Sequence, residues 1–365
     1  MTTPAIEMVD GLPIFSAIEP ASIKPAIEKA IAACKSEIDE VVASKDYSYQ
    51  NLLLRLEEAD DRLSKIFSPV SHMNSVVSSD ELREAHDACL PLLSEYGTWV
   101  GQHESLYKAY ASLKASDEFA TLSEEQQKVI ENAVRDFTLS GVALPAEQKK
   151  RFAEIQAKLS ELSSTFSNNV MDATMGWTKH ITDEAELAGM PESALEAAAQ
   201  AAHQKDLQGW LFTLDIPSYL PVMLYADNRE LREEMYRAYA TKASDQGPNA
   251  GKWDNTDIIK ETLTLRTELA ELLGFSSYAE RSLATKMADS TDQVIGFLRD
   301  LAAKSKPQAE KELEEVRAYA KDKHGVNELA AWDLPYYSEK LKQEKYTISD
   351  EMLRPYFPED KVLSG

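Results

Sequence analysis

Residues 23–42 read IKPAIEKAIAACKSEIDEVV, and this stretch decides the fold. Its apolar positions Ile23, Ile27, Ile31, Cys34, Ile38 and Val42 recur every three or four residues. That spacing puts them on one face of a helix, whereas a half-buried strand would alternate in twos. The same period returns over 49–67 through Leu52, Leu53, Leu56, Leu63 and Ile66. Ser78 and Glu81 have the spacing of a capping box ahead of Leu82, Ala85, Cys89 and Leu92, and Ser123 and Gln126 repeat it before Val129, Ile130 and Phe137. A further helix is expected over 99–113. A long one is expected from about Ala146, with Phe152, Ile155, Leu159, Leu162, Phe166 and Val170 on one side. These stripes predict a mostly α fold.

The middle of the chain changes character. GWTKHIT (176–182) and GWLFTLD (209–215) read as two short strands, a small β element near 177–181 and 210–214. Between them PESALEAAAQAAHQ (191–204) is an alanine-rich helix. Helices return from Tyr219 and are clearest over 229–242 and 256–273, on either side of the turn-rich SDQGPNAGKWDN (244–255). A charged helix is expected over 291–323, bent at Pro307. In RPYFPEDKVLSG (354–365), Pro358 suits a first helical position and Glu359 and Asp360 a first turn. A helix of one or two turns is not stable alone, so the reading expects the polypeptide to continue. The organisation expected is a helical region over 1–175 and a second, over 176–365, that carries the small sheet.

The 365 residues carry a formal net charge of −23, which disfavours phosphate backbones and anionic lipid surfaces as partners. No run of ~18 apolar residues exists to cross a membrane. The opening MTTPAIEMVDGLP has no Lys or Arg and lacks the regions of a signal peptide. The two cysteines, Cys34 and Cys89, read as small buried hydrophobes in a reducing cytoplasm.

Candidate sites are few. GQHESLY (101–107) opens like a zinc-peptidase helix, but Tyr107 stands where the second histidine belongs. Trp99, His103, Leu106, Tyr110 and Leu113 share one stripe, so His103 reads as a packed histidine. His72, His86, His180, His203 and His324 are scattered, with no i, i+4 pair. GPNAGKW (247–253) resembles a phosphate loop but is one residue short, with Trp253 in the magnesium-binding place, and reads as a surface loop. Glu57, Glu58, Asp60 and Asp61 lack calcium-loop spacing and read as a solvated helix face. Tyr236 and Tyr239 are candidates for a peptide cleft or for helix packing. From the residues alone, no catalytic and no metal-binding side chain is assigned.

Several long segments resemble the thimet oligopeptidase family of zinc metallopeptidases: LPIFSAIEPASIKPAIEKAI (12–31), DFTLSGVALP (136–145), LSSTFSNNVMDAT (162–174), DIPSYLPVMLYADNRELREEMYRAYATKAS (215–244), LLGFSSYAERSLATKMA (272–288) and WDLPYYSEKLKQEKYTISDEMLRPYFPEDKVLSG (332–365). The resemblance implies the multi-helix N-terminal portion of a two-lobed, channel-forming peptidase that admits short peptides. It places the zinc-binding histidine pair, its glutamate and the third ligand in a C-terminal half that this sequence does not include. On that reading zinc belongs to full-length members and none is bound by this chain. Its partners are short peptides and the missing half, and the piece alone self-associates and is inactive. The alternative is a free-standing helical module that binds peptides or proteins without catalysis. The two differ in whether the coding sequence continues into a His-Glu-x-x-His helix.

Overall fold

A computed structural model describes residues 8, 9 and 12–365. Most of residues 1–13, on which the signal-peptide reading rests, lie outside them. Among the described residues no helix is long and apolar enough to cross a membrane. Helices dominate, as the periodicity predicts, and two short antiparallel ladders make up the β structure of the described residues. The chain forms two compact units, one of Met1–Phe166 with Ile258–Asp289, the other of Ser167–Asp257 with Ser290–Gly365.

In the first unit the helix Pro20–Ser44 begins with Pro20, whose fixed φ suits the first turn, and ends at Lys45 in the left-handed region with φ 55°. Its buried face is Ile23, Ile27, Ile31, Cys34, Ile38 and Val41. The next segment differs from the expectation: residues Tyr49–Leu54 form a π-helical stretch before the α-helix Arg55–Val76. The wider turn lets the neighbours Leu52 and Leu53 both be buried before Leu56 resumes the α spacing. Ser48 starts it by accepting a hydrogen bond from the Asn51 N–H.

One cap moved and one held. Ser79, not Ser78, accepts the Leu82 N–H at 3.2 Å and starts Asp80–Asp87. Glu81 therefore sits one position earlier in the helix than a capping box requires. Its carboxyl is held below the ordinary value by its own backbone N–H and the Ser79 hydroxyl. Ser123 and Gln126 form the expected reciprocal box at Glu124–Leu139. The single helix expected over 99–113 is two, Leu90–Gly101 and Glu104–Lys114. Cys34 and Cys89 are buried free thiols.

The late segment 258–289 belongs to the first unit through a shared core. Leu265 and Leu269 of Thr256–Leu272 pack with Phe152, Ile155 and Leu162 of the helix Ala146–Met175. A two-pronged ion pair adds to it: Arg151 Nε donates to Glu268 Oε1 at 2.5 Å and Nη2 to Oε2 at 2.7 Å.

In the second unit the strands Thr178–Ile181 and Trp210–Thr213 pair antiparallel, Thr178 opposite Thr213 and Ile181 opposite Trp210. The alanine-rich helix Glu192–His203 packs on the second strand, with Ala198 beside Phe212 and Leu214 in one core. The following helix starts at Ile216 rather than near Tyr219, since Pro217 suits a first turn. Arg229–Ala240 and Thr291–His324 form as read, the latter continuous through Pro307 and closed by Gly325 at φ 71°. Pro358 caps Glu359–Ser364 instead of being its first residue.

Gly176 is one of the positions in the second unit with no room for a side chain. A Cβ there would lie 2.1 Å from the Trp253 ring and 2.8 Å from the Asp172 carbonyl oxygen. Gly176→Ala is expected to cost about 1–3 kcal/mol, because neither the indole nor the helix backbone can retreat cheaply. A urea titration followed by tryptophan fluorescence tests this, and an unchanged midpoint would contradict the crowding.

Candidate functional site

Five of the six histidines have a local partner, and His203 is exposed at the end of Glu192–His203. His103 precedes Glu104–Lys114 as its N-cap, where its Nδ1 accepts the Leu106 N–H at 3.0 Å and its ring meets Trp99 edge-on at 4.9 Å. The imidazole oxygen-substitute role explains why the chain breaks into two helices here, since a cap residue must leave helical geometry. Glu104, the second residue of the motif-like stretch, is paired with Lys149 at 2.8 Å. His86 is buried, stacks on Phe67 at 5.3 Å and sits 2.9 Å from Asp87. His180 lies on a strand with Nε2 2.6 Å from the Gln208 carbonyl oxygen. His324 ends its helix between Tyr319 and Tyr337, and His72 lies against Phe15. Among the described residues no group of three His, Cys, Asp or Glu side chains converges to hold a metal.

Because His103 acts as a cap, His103→Ala is expected to cost about 0.5–2 kcal/mol and His103→Asp close to nothing. Thermal unfolding of both variants decides it. Equal losses in the two would show that ring packing on Trp99, and not the cap, is what matters.

The acidic cluster is exposed, with Asp61 paired to Lys65 at 2.5 Å and Asp60 accepting the Tyr96 hydroxyl at 2.7 Å. The loop 244–255 is tied back by Asn255, which is buried, takes a bond from Asn169 Nδ2 at 2.8 Å and donates its N–H to Ala243. Trp253 caps Gly176. No helix follows Gly251 directly to offer N–H groups to a phosphate. Tyr236 and Tyr239 are half-buried against the second unit's core. Tyr239 stacks on Tyr219 at 4.1 Å, and Lys242 Nζ lies over the Tyr239 ring, 3.9 Å from its centre. Burial lowers the Lys242 ammonium, with Asp215 opposing, and pushes Tyr219 up to about 12.

The most buried polar constellation lies in segments whose chemistry the sequence does not single out. Asp333, with no exposed side-chain surface, takes Arg232 Nη2 at 2.9 Å, Arg229 Nη2 at 2.7 Å and the Ala330 N–H at 3.0 Å. Arg232, 1% exposed, also donates to the carbonyl oxygens of Ala226 at 2.7 Å and Trp332 at 3.3 Å. Its guanidinium lies 4.1 Å from the centre of the Tyr336 ring, whose hydroxyl donates to Asp227 at 2.6 Å. The two buried charges, Asp333 and Arg232, are matched by these bonds, while Arg229 is half exposed. The arrangement is a clamp that fixes Arg229–Ala240 against Leu334–Tyr346. The residues 227–232 and 333–336 are about a hundred apart, so only the fold reveals them as one network.

Comparison with known proteins accounts for those segments. A model of the neurolysin/thimet oligopeptidase N-terminal domain matches residues 27–149, and a model of peptidase family M3 matches 222–365. The chain is 60% identical to the protein named oligopeptidase A of Salmonella typhimurium over 366 residues, covering 100% of this chain and 54% of that one. Oligopeptidase A of Escherichia coli K12 gives the same figures. A probable cytosolic oligopeptidase A of Arabidopsis thaliana is 37% identical over 373 residues, 100% of this chain and 52% of that one. The chain thus spans about half the length of the curated relatives it matches. It belongs to peptidase family M3, the thimet oligopeptidase family.

Proposed function

We propose that this chain is the N-terminal, channel-wall portion of a cytoplasmic zinc-dependent oligopeptidase that hydrolyses short peptides, and that it does not catalyse alone. The observation that carries the reading is the 60% identity to proteins named oligopeptidase A, sustained along the whole chain. The residues in hand do not fit a zinc ion. The histidine nearest a peptidase motif is a helix cap, and the others are dispersed over separate elements. No step of hydrolysis is therefore assigned to a side chain here. What the chain contributes is a rigid helical scaffold that restricts access and orients peptide, a specificity role. The buried free thiols agree with a reducing compartment. Ile295, Leu298 and Leu301, exposed along one side of Thr291–His324, suit a surface covered by the rest of the enzyme or, without it, by another copy.

The test is complementation. The chain is mixed, with zinc, with a separately produced polypeptide spanning the remaining length of Salmonella typhimurium oligopeptidase A. Cleavage of a short quenched-fluorescence peptide is expected from the mixture and from neither part alone. Peptide binding by this chain with no cleavage in the mixture would favour a free-standing binding module.

A further inference from the structure

A cavity of about 510 Å³ lies inside the first unit, between the helices Pro20–Ser44, Arg55–Val76, Leu90–Gly101, Glu104–Lys114 and Glu124–Leu139. It sits at the seam of two apolar cores, with Ile38, Leu106 and Phe137 from one and Cys34, Leu63 and Tyr96 from the other. It opens to solvent where Asp60 and Gly97 are exposed. Most of its wall is apolar, with Asp60, Asp136 and three serines as the polar minority. The volume falls within the ~300–1,000 Å³ typical of small-molecule sites. Cys34 adds to the apolar wall: burial raises its thiol, which donates to the Ala59 carbonyl oxygen at 3.3 Å.

The polar lining selects the sign of the occupant's charge. It contains Asp60 and Asp136 and, among the described lining residues, no Lys, Arg or His. Asp136 is already paired with Arg135 at 2.8 Å. Asp60 is different: it is exposed, so it stands where the cavity meets solvent, and the Tyr96 hydroxyl fixes one of its oxygens at 2.7 Å. The other oxygen is left to accept from a ligand, and its orientation is set before the ligand arrives.

Gly97 shows that the space is usable. A Cβ at Gly97 meets nothing within 4 Å, although Gly97 lines the cavity, whereas one at Gly101 on the same helix would lie 2.5 Å from Ser140. Gly97 is exposed, so a side chain there stands in open space at the rim of the cavity, where a large one would obstruct the entrance.

We propose that this cavity is a binding site for a small amphiphilic amine, its aromatic or branched apolar body between the five helices and its ammonium on Asp60. The site is independent of the peptidase reading, since it lies within the first unit and uses none of the chemistry of peptide cleavage. Tryptamine and its uncharged counterpart tryptophol separate the two halves of the claim. Calorimetric titration of the 365-residue chain is expected to give one saturable site, with tryptamine bound roughly three- to tenfold more tightly than tryptophol. Asp60→Asn is expected to bring the two to about equal affinity, and Gly97→Leu to abolish both while leaving the helical circular dichroism intact. Should Gly97→Leu fail to fold, methyl chemical-shift changes in the parent chain serve instead, and they must centre on Ile38, Leu63, Leu93 and Val100. Absence of saturable tryptamine binding, equal binding of amine and alcohol by the parent chain, undiminished binding by a folded Gly97→Leu, or shifts centred elsewhere would each overturn the proposal.

Discussion

Asp333→Ala is expected to destabilise the second unit by about 3–5 kcal/mol, the range found when one partner of a buried ion pair is removed. The loss comes less from the missing attraction than from what remains. Arg232 is 1% exposed and cannot reach water, so its charge stays buried with only carbonyl oxygens and the Tyr336 ring as partners. Arg229, half exposed, loses its partner at little cost because solvent replaces it. Removing both buried charges in Asp333→Ala/Arg232→Met should recover part of the loss, since two apolar groups leave nothing unpaired. Urea denaturation read at Trp332 gives the comparison. A loss below about 1 kcal/mol for the single variant, or a double variant worse than additive, would mean the clamp is not what holds these helices.

Acid should remove the same stabilisation. Burial alone would raise the Asp333 carboxyl, but Arg229, the Ala330 N–H and Arg232 outweigh it and hold it below the ordinary value of 3.8. A depressed carboxyl means the unfolded chain binds the proton more readily than the folded one. The contribution is thus complete above the ordinary carboxylate range and lost as pH falls through the lower folded value. Wild type and Asp333→Ala should differ most near neutrality and converge in acid.

The helices were legible because burial on one face imposes a period that survives in the sequence, as from Ile23 to Val41. The strand pair was legible because its residues break that period between two glycine-led turns. Helix ends were less so. Whether Ser78 or Ser79 caps, and whether 99–113 is one helix or two, depends on backbone angles and on a side-chain nitrogen standing in for a hydroxyl. The clamp was not legible at all. Arg232 and Asp333 are separated by 101 positions, and arginines among glutamates on a charged helix read as a solvated face. The cavity was equally hidden, because most of its lining is the same apolar residues that fill a core and Asp60 reads as part of a solvated face.

The 365-residue chain, purified by gel filtration, is expected to carry far less than one zinc per molecule and to show no zinc-dependent peptide cleavage. A peptidase zinc needs three protein ligands around an open position, with a base beside the bound water. One imidazole cannot supply that set, and His103 already commits Nδ1 to the Leu106 N–H. Glu104, which would stand beside the water in such a motif, is bound to Lys149, whose ammonium lowers the carboxyl below its ordinary value by hydrogen bonding and charge. A carboxylate so held is a weaker base, which is opposite to what water activation asks of it. Metal analysis and a quenched-fluorescence assay decide the matter together, with His103→Asp as the control. That substitution preserves the cap while deleting the imidazole, so it should change neither zinc content nor the background rate. Turnover that tracks zinc and vanishes in folded His103→Asp would place catalysis within this chain and refute the proposed division of labour.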